Sequence, residues 1–245
     1  MTRRILVVGV SCVVALVGCT PMSPAAPDAD PVVIAAGTGA PREFYEPLAS
    51  RLRDGGYEVF IYTIPSPLSP FEESAPSFES FLEGVLEETG SAKVDIIGHS
   101  QGVILVRYAA KFLGSGPHID TLVSLSGGIH GSSLASGIDA SAGCLGLVLC
   151  KQAAIGSEFL QQLNEPNDAI DGVHHVNITT IHDRIGTPYT NNLMFGTGDI
   201  TNVVVQDQCP GSLVGHVLLP LDGAVASGID DALAHRPITL DCDAI

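Results

Sequence analysis

A serine held between two glycines, in Gly98-His99-Ser100-Gln101-Gly102, constrains this chain more than any other stretch of it. The apolar run Val94 to Gly98 leads into it and the helical pattern of Val103 to Leu113 leads out, so the serine occupies a tight strand-to-helix turn. Such a turn imposes a strained backbone on the serine. It also calls for glycine on either side, because a Cβ there would strike the neighbouring strand and helix. The hydroxyl is lifted to the carboxyl edge of a sheet and the N-terminus of a helix, whose unpaired N–H groups and dipole favour developing negative charge. The pentapeptide alone is weak, and a Gly-rich turn without chemistry is the plain alternative. The strand-turn-helix setting is what makes Ser100 the candidate nucleophile.

The rest of the chain supplies the layers such a turn needs. Strands are expected at Val32 to Ala36, Tyr57 to Ile64, Val94 to Gly98, Thr121 to Leu125, Val176 to Ile181 and Val203 to Gln206. Helices are expected at Phe44 to Gly55, Phe78 to Thr89, Val103 to Leu113 and Gly223 to Ala234, with a proline-rich loop containing Pro65, Pro67, Pro70 and Pro76 before the second. Fully apolar strands alternating with amphipathic helices read as an α/β fold, a mostly parallel central sheet with helices on both faces. Ser126 to Asn164 is rich in Gly, Ser and Ala and shows no clear organisation; no long amphipathic segment calls for a large lid.

A serine hydroxyl is a poor nucleophile at neutral pH and needs a histidine base oriented by a carboxylate. On a sheet of this kind the chain order is Ser, then Asp or Glu, then His. His216 follows a strand and turn in Gly215-His216-Val217, whereas His235 ends an amphipathic helix beside Arg236 like a surface residue. A satisfied core histidine is the alternative reading of His216. Asp183 comes just after the strand ending at Ile181 and is the candidate acid. Asp199, in a Gly-Thr-Gly-Asp turn suited to capping, and Asp207, only nine residues before His216, compete with it. Two backbone N–H groups must hold the oxyanion; Gln101, after the nucleophile, and Thr38, in Gly37-Thr38-Gly39 after the first strand, are the candidates.

The N-terminus reads as an address. Arg3 and Arg4 precede the apolar Ile5 to Gly18, too short to span a bilayer comfortably, so 1–18 is expected to be a signal peptide. Leu16-Val17-Gly18-Cys19 resembles a lipobox, with Cys19 as the lipid attachment site; an ordinary secretory signal with an incidental cysteine is the alternative. Residues 19–31, rich in proline and alanine, read as an extended tether, and 32–245 as the catalytic domain. The protein is then exported, either as a cell-surface lipoprotein or secreted. Four cysteines remain, Cys144, Cys150, Cys209 and Cys242, and an even count in an exported chain favours disulfides. Of the three pairings, Cys144–Cys150 and Cys209–Cys242 are expected. No CxxC pair or Cys/His cluster supports a metal. A net charge of −16, dispersed without runs, repels nucleic acid and anionic headgroups, so the only expected tie to a membrane is the N-terminal lipid.

The Gly-Thr-Gly loop, Gly-His-Ser-Gln-Gly, Asp-x-Ile-x-x-Pro at 183–188, and Val-Gln-Asp-x-Cys-Pro leading to Gly-His-Val within 204–217 together resemble the class 2 lipases of actinobacteria. Lidless Bacillus lipases and the yeast lipase B of Candida look like more distant relatives. The resemblance covers nearly all of 31–235. It implies an α/β-hydrolase core with a minimal lid or none, triad roles for Ser100, Asp183 and His216, oxyanion roles for Thr38 and Gln101, and no metal or other cofactor in the chemistry. The implied activity is hydrolysis of a lipid or small-molecule ester through an acyl-enzyme, by a monomer. An acyltransferase using the same triad and a non-catalytic surface lipoprotein are the other readings. Phe71, Phe78, Phe81 and the Cys144 to Cys150 stretch are candidates to line an acyl site. Two positions depart from the family: Ala36 stands where relatives carry histidine, and Val103 where many carry a second glycine.

Overall fold

The computed structural model describes residues 25, 26 and 29–244. The expected signal peptide, Cys19 and most of the tether lie outside the described residues. Six strands form one sheet: β1 (Val32–Ala35), β2 (Val59–Tyr62), β3 (Val94–His99), β4 (Ile119–Leu125), β5 (His174–Thr179) and β6 (Asp199–Val204). All pairings are parallel, and the order across the sheet is β2-β1-β3-β4-β5-β6. In register, Ile34 faces Ile97, Ile97 faces Val123, and Val123 faces Val176. The strand that carries the serine turn is therefore interior, with two strands on one side and three on the other.

Both faces of the sheet are covered, which is why its central strands are apolar at successive positions. Val32, Ile34, Ile97, Val123 and Val176 point to one side. There they pack on Leu48 and Leu52 of α1 (Arg42–Asp54) and Val225 and Ile229 of α8 (Gly223–Leu233). Val33, Ile96 and Leu122 point to the other, against Phe78 and Leu82 of α2 (Phe71–Thr89) and Leu105 of α3 (Gln101–Tyr108), which continues as a π-helical turn over Ala109–Leu113.

Several boundaries differ from the sequence expectation. α2 starts at Phe71, not Phe78, and carries Pro76 at its sixth position, as α1 carries Pro47. Burial of Phe71, Ala75 and Phe78 outweighs the one hydrogen bond that a missing amide forfeits near a helix start. β6 runs over Asp199–Val204 rather than Val203 to Gln206, and Val205–Gln208 is a helical turn, α7. An edge strand in which only Val203 is buried tolerates the polar Thr201 and Asn202, so its sequence lacks an apolar run. Ser126 to Asn164 resolves into α4 (Ser133–Ala142), α5 (Val148–Gln152) and α6 (Glu158–Asn164). α4 buries no residue, and hydrogen bonds hold it instead: Ser133 N–H donates to Thr187 O (2.6 Å) and Ile155 N–H to Ser136 Oγ (2.9 Å). Disulfides join Cys144 to Cys150, across the α4–α5 turn, and Cys209 to Cys242, which ties the C-terminal tail beside α7.

Candidate active site

Ser100 follows β3 directly and has φ 54°, ψ −122°, a backbone conformation L-residues rarely adopt. Its amide donates to Leu125 O (3.0 Å), which pins the turn to β4. Gly102 is required here: a Cβ on it would lie 2.3 Å from Ala35 O. Val103 finds its room elsewhere. A Cβ on Gly127 would lie 2.6 Å from Val103 Cγ1, so the space that Val103 takes is space that Gly127 leaves.

The residues singled out in the sequence meet at the carboxyl edge of the sheet. Ser100 Oγ lies 2.9 Å from His216 Nε2, and His216 Nδ1 lies 2.8 Å from Asp183 Oδ2. The carboxylate only accepts, so Nδ1 carries the proton and Nε2 is free to accept that of the serine. Asp183, past the end of β5, is fixed by the amides of Ile185 (2.8 Å) and Gly186 (2.7 Å) on Oδ1. Burial pushes its carboxyl up, but the hydrogen bond and charge of His216, with the Ile185 amide and the Ser126 hydroxyl, outweigh that and hold it below the ordinary carboxylate value. The competitors go elsewhere. Asp199 binds His174 Nδ1 (2.7 Å), His235 binds Asp120 (2.9 Å), and Asp207 lies in α7.

Asn192 escaped the sequence reading. Its Nδ2 donates to Asp183 Oδ2 (3.3 Å), Thr179 Oγ1 (3.1 Å) and Gly186 O (3.1 Å), and its Oδ1 accepts from the Gly128 amide (2.8 Å). It thus joins the acid's loop to the loop after β4. Nothing in its sequence surroundings marks it.

The loop after β1 abuts the serine: a Cβ on Gly37 would lie 3.3 Å from Ser100 Cβ. Thr38 lines the cavities on both sides of Ser100, and Gln101 opens α3, where its side chain donates to Pro67 O (3.1 Å). Neither the Thr38 nor the Gln101 amide has a hydrogen-bond acceptor among the described residues.

Two cavities meet at Ser100. The larger, about 360 Å³, runs over Ile104 and Phe71 beneath Leu134, Ile138, Leu147 and Leu149 of the stapled α4–α5 segment. The smaller, about 230 Å³, lies among Ala40, Phe44 and Val217, while Thr38, Ser100, Ile185 and His216 line both. Among the described residues, no Asp, Glu, Lys or Arg lines either. Phe71 and, of the Cys144 to Cys150 stretch, Leu147, Leu149 and Cys150 thus face the larger cavity, whereas Phe78 and Phe81 pack on Tyr62 in the core beneath. A still larger cavity beside Cys209 and Cys242 touches none of Ser100, Asp183 and His216. Asp30, Asp95 and Asp120 bring carboxylate oxygens within 4.8 Å of one another, but Asp95 and Asp120 open β3 and β4, at the end of the sheet away from the serine.

A family model described as lipase (class 2) matches residues 73–218. No curated protein matches the chain. Among solved structures, lipase B of Aspergillus fumigatus superposes with a TM-score of 0.71 at 18% identity, over 89% of this chain and 55% of its own. A protein of Listeria innocua gives 0.60 at 12% identity, over 88% of this chain and 100% of its own. An α/β hydrolase from sediments of the lagoon of Mar Chica, Morocco, gives 0.54 at 14%, over 85% and 90%. This chain therefore spans about half the length of the fungal lipase, and at these identities the likeness concerns the fold: a parallel α/β-hydrolase sheet.

Proposed function

The chain belongs to the class 2 lipase family, and from that premise we propose that it hydrolyses neutral carboxylic esters through an acyl-enzyme on Ser100. The observation that carries this reading is His216, bonded at one nitrogen to Ser100 and at the other to Asp183 beside two uncharged cavities.

Ser100 Oγ attacks the ester carbonyl while its proton passes to His216 Nε2. The carbonyl oxygen becomes an oxyanion and takes the free N–H groups of Thr38 and Gln101. Asp183 steadies the imidazolium. The carbon–oxygen bond to the alcohol then breaks, and His216 returns the proton to the departing oxygen. That oxygen must lie near Nε2 of His216, which lines both cavities, and we assign the alcohol to the smaller one, beside Val217. The acyl chain takes the larger one. Water repeats the sequence, frees the acid and restores the serine. An acyltransferase differs only in admitting an alcohol in place of that water.

The surrounding reading is of one catalytic domain, 32–245, exported under the 1–18 signal and held through Cys19 or released. Two disulfides accord with an oxidising compartment, and among the described residues no helix is long and apolar enough to cross a membrane.

Hydrolysis of p-nitrophenyl esters of increasing chain length tests the reading. The wild type should turn them over and Ser100→Ala should lose about 10⁶ in kcat while keeping its fold. A fluorophosphonate should label Ser100 alone; labelling at another residue, or an active alanine variant, would overturn the assignment.

A further inference from the structure

A buried file of polar groups runs from the loop after β1 to the backbone of His216. The Gly37 amide donates to Tyr45 Oη (2.8 Å), Tyr45 Oη lies 2.8 Å from His99 Nδ1, and His99 Nε2 lies 3.0 Å from His216 O. Tyr45 comes from α1 and is wholly buried; His99 ends β3 and is 5% exposed.

The direction of every bond in the file follows from its ends. A carbonyl oxygen only accepts, so His99 Nε2 carries a proton and donates to His216 O. Burial, reinforced by the charge of His216, pushes His99 down to about 4, so the ring is neutral and its Nδ1 is an acceptor. Tyr45 must then donate to Nδ1, and burial, pushing its hydroxyl up to about 12, keeps that proton in place. The oxygen of Tyr45 is left to receive the Gly37 amide. Reversing one bond would set two donors face to face or leave a buried group unpaired, so the file has one arrangement across the working range of pH.

We propose that Tyr45 and His99 are positioning residues that hold the oxyanion-binding loop and the base at a fixed separation across Ser100. The proposal rests on the triad reading given above. One end of the file occupies the Gly37 amide, which leaves the next amide, that of Thr38, as the loop's free donor beside Ser100. Gly37 is wedged in place: a Cβ on it would lie 3.2 Å from His99 Nδ1 and 3.3 Å from Ser100 Cβ. The other end holds the backbone of the residue whose side chain reaches Ser100. Movement of Tyr45 would therefore shift the oxyanion donor relative to the base, which costs most in the transition state and little in the ground state.

Tyr45→Phe keeps the ring and removes only the hydroxyl. Since losing an oxyanion donor outright costs about 10²–10³ in turnover, its displacement should lower kcat by about 10–100-fold. KM for a p-nitrophenyl ester should stay near wild type, and the affinity of a trifluoromethyl ketone, whose adduct with the serine carries an oxyanion, should fall by the same factor as kcat. His99→Gln supplies one donor and one acceptor and should preserve most activity, whereas His99→Leu should behave as Tyr45→Phe. The double variant Tyr45→Phe/His99→Leu should lose little beyond either single change. Wild-type kcat in folded Tyr45→Phe would overturn the proposal. So would equal losses in His99→Gln and His99→Leu, a comparison that decides the matter if Tyr45→Phe does not fold. Failure of fluorophosphonate to label Ser100 in the wild type would instead refute the triad reading itself.

Discussion

Val103 and Gly127 share one space, in which a Cβ on Gly127 would lie 2.6 Å from Val103 Cγ1 and 2.8 Å from its Cβ. Val103 lies in the first turn of the helix behind Ser100 and Gly127 follows β4, so the fit between them sets how closely α3 packs beneath the turn. Gly127→Ala should overpack the contact and destabilise by about 1–3 kcal/mol. Val103→Gly should cost about 1 kcal/mol or more through helix propensity and lost packing. Because each relieves the other, the double variant should be more stable than the two losses added together. Strictly additive denaturation midpoints would show that the two positions do not compete for space.

Asp183 accepts two amides on one oxygen and His216 on the other, so in the proposed triad it would hold a tautomer rather than move a proton. Asp183→Asn presents an amide N–H or a weaker acceptor to Nδ1 and should lower kcat by about 10⁴ with the fold retained. A loss smaller than tenfold would remove Asp183 from the triad.

The acid side of the pH profile has one source. Asp183 is held below the ordinary carboxylate value, so its charge, and the stability that charge contributes, is present above the unfolded value and lost only as pH falls through the lower folded one. His99, pushed down to about 4, stays neutral over the same span. Activity should therefore fall toward acid with the uptake of one proton, since neither of these neighbours of the proposed base titrates there. Two protons on the acid limb of kcat/KM between pH 5 and 8 would contradict this.

Asp95 sits buried in β3 with the Thr121 amide on its Oδ1 (3.1 Å), and burial, aided by Asp30 and Asp120, pushes its carboxyl up to about 7. A folded value above the unfolded one, about 4 for Asp, contributes stability in full below pH 4 and loses it progressively up to pH 7. Asp95→Asn keeps the acceptor for Thr121 and never ionises. Its Tm should exceed that of the wild type at neutral pH, with the gap opening between pH 4 and 7 and then levelling. A gap independent of pH would disprove the buried ionisation.

The two disulfides should separate in effect. In the chain-entropy model the Cys209–Cys242 link, spanning 33 residues, is worth about 4 kcal/mol and Cys144–Cys150, spanning 6, about 2 kcal/mol. Cys209→Ser/Cys242→Ser should lower Tm more. Cys144→Ser/Cys150→Ser should act on the larger cavity instead, since α4 buries nothing and its Leu134 and Ile138 form the wall. Its signature is an altered preference among ester chain lengths at modest cost in Tm; an unchanged preference would detach the staple from substrate selection.

The central sheet was legible because β1, β3 and β4 lie under helices on both sides, so burial shows in the sequence at every position. That Ser100, Asp183 and His216 meet was legible because Ser100 and Asp183 come just after strands and His216 is a histidine late in the chain, in the order the proposed chemistry calls for. The polar edge strand β6 has no such signal. Nor has α4, made of small residues and organised by Ser132, Ser133 and Ser136 through bonds to distant loops. Tyr45 and His99 meet across 54 residues, and Asn192 reaches the acid only through a folded loop, so their partners exist in three dimensions alone.

The order in which the sheet is assembled has a consequence of its own. Ser100 follows β3, but Asp183 follows β5 and His216 comes after β6. A chain with only its first four strands paired already carries the serine on its turn, with nothing nearby to take the proton. On the proposed triad, catalysis and completion of the fold are then a single event: a nascent or half-folded chain would be chemically silent toward the esters it passes. The first trace of activity during refolding times the arrival of the last strand.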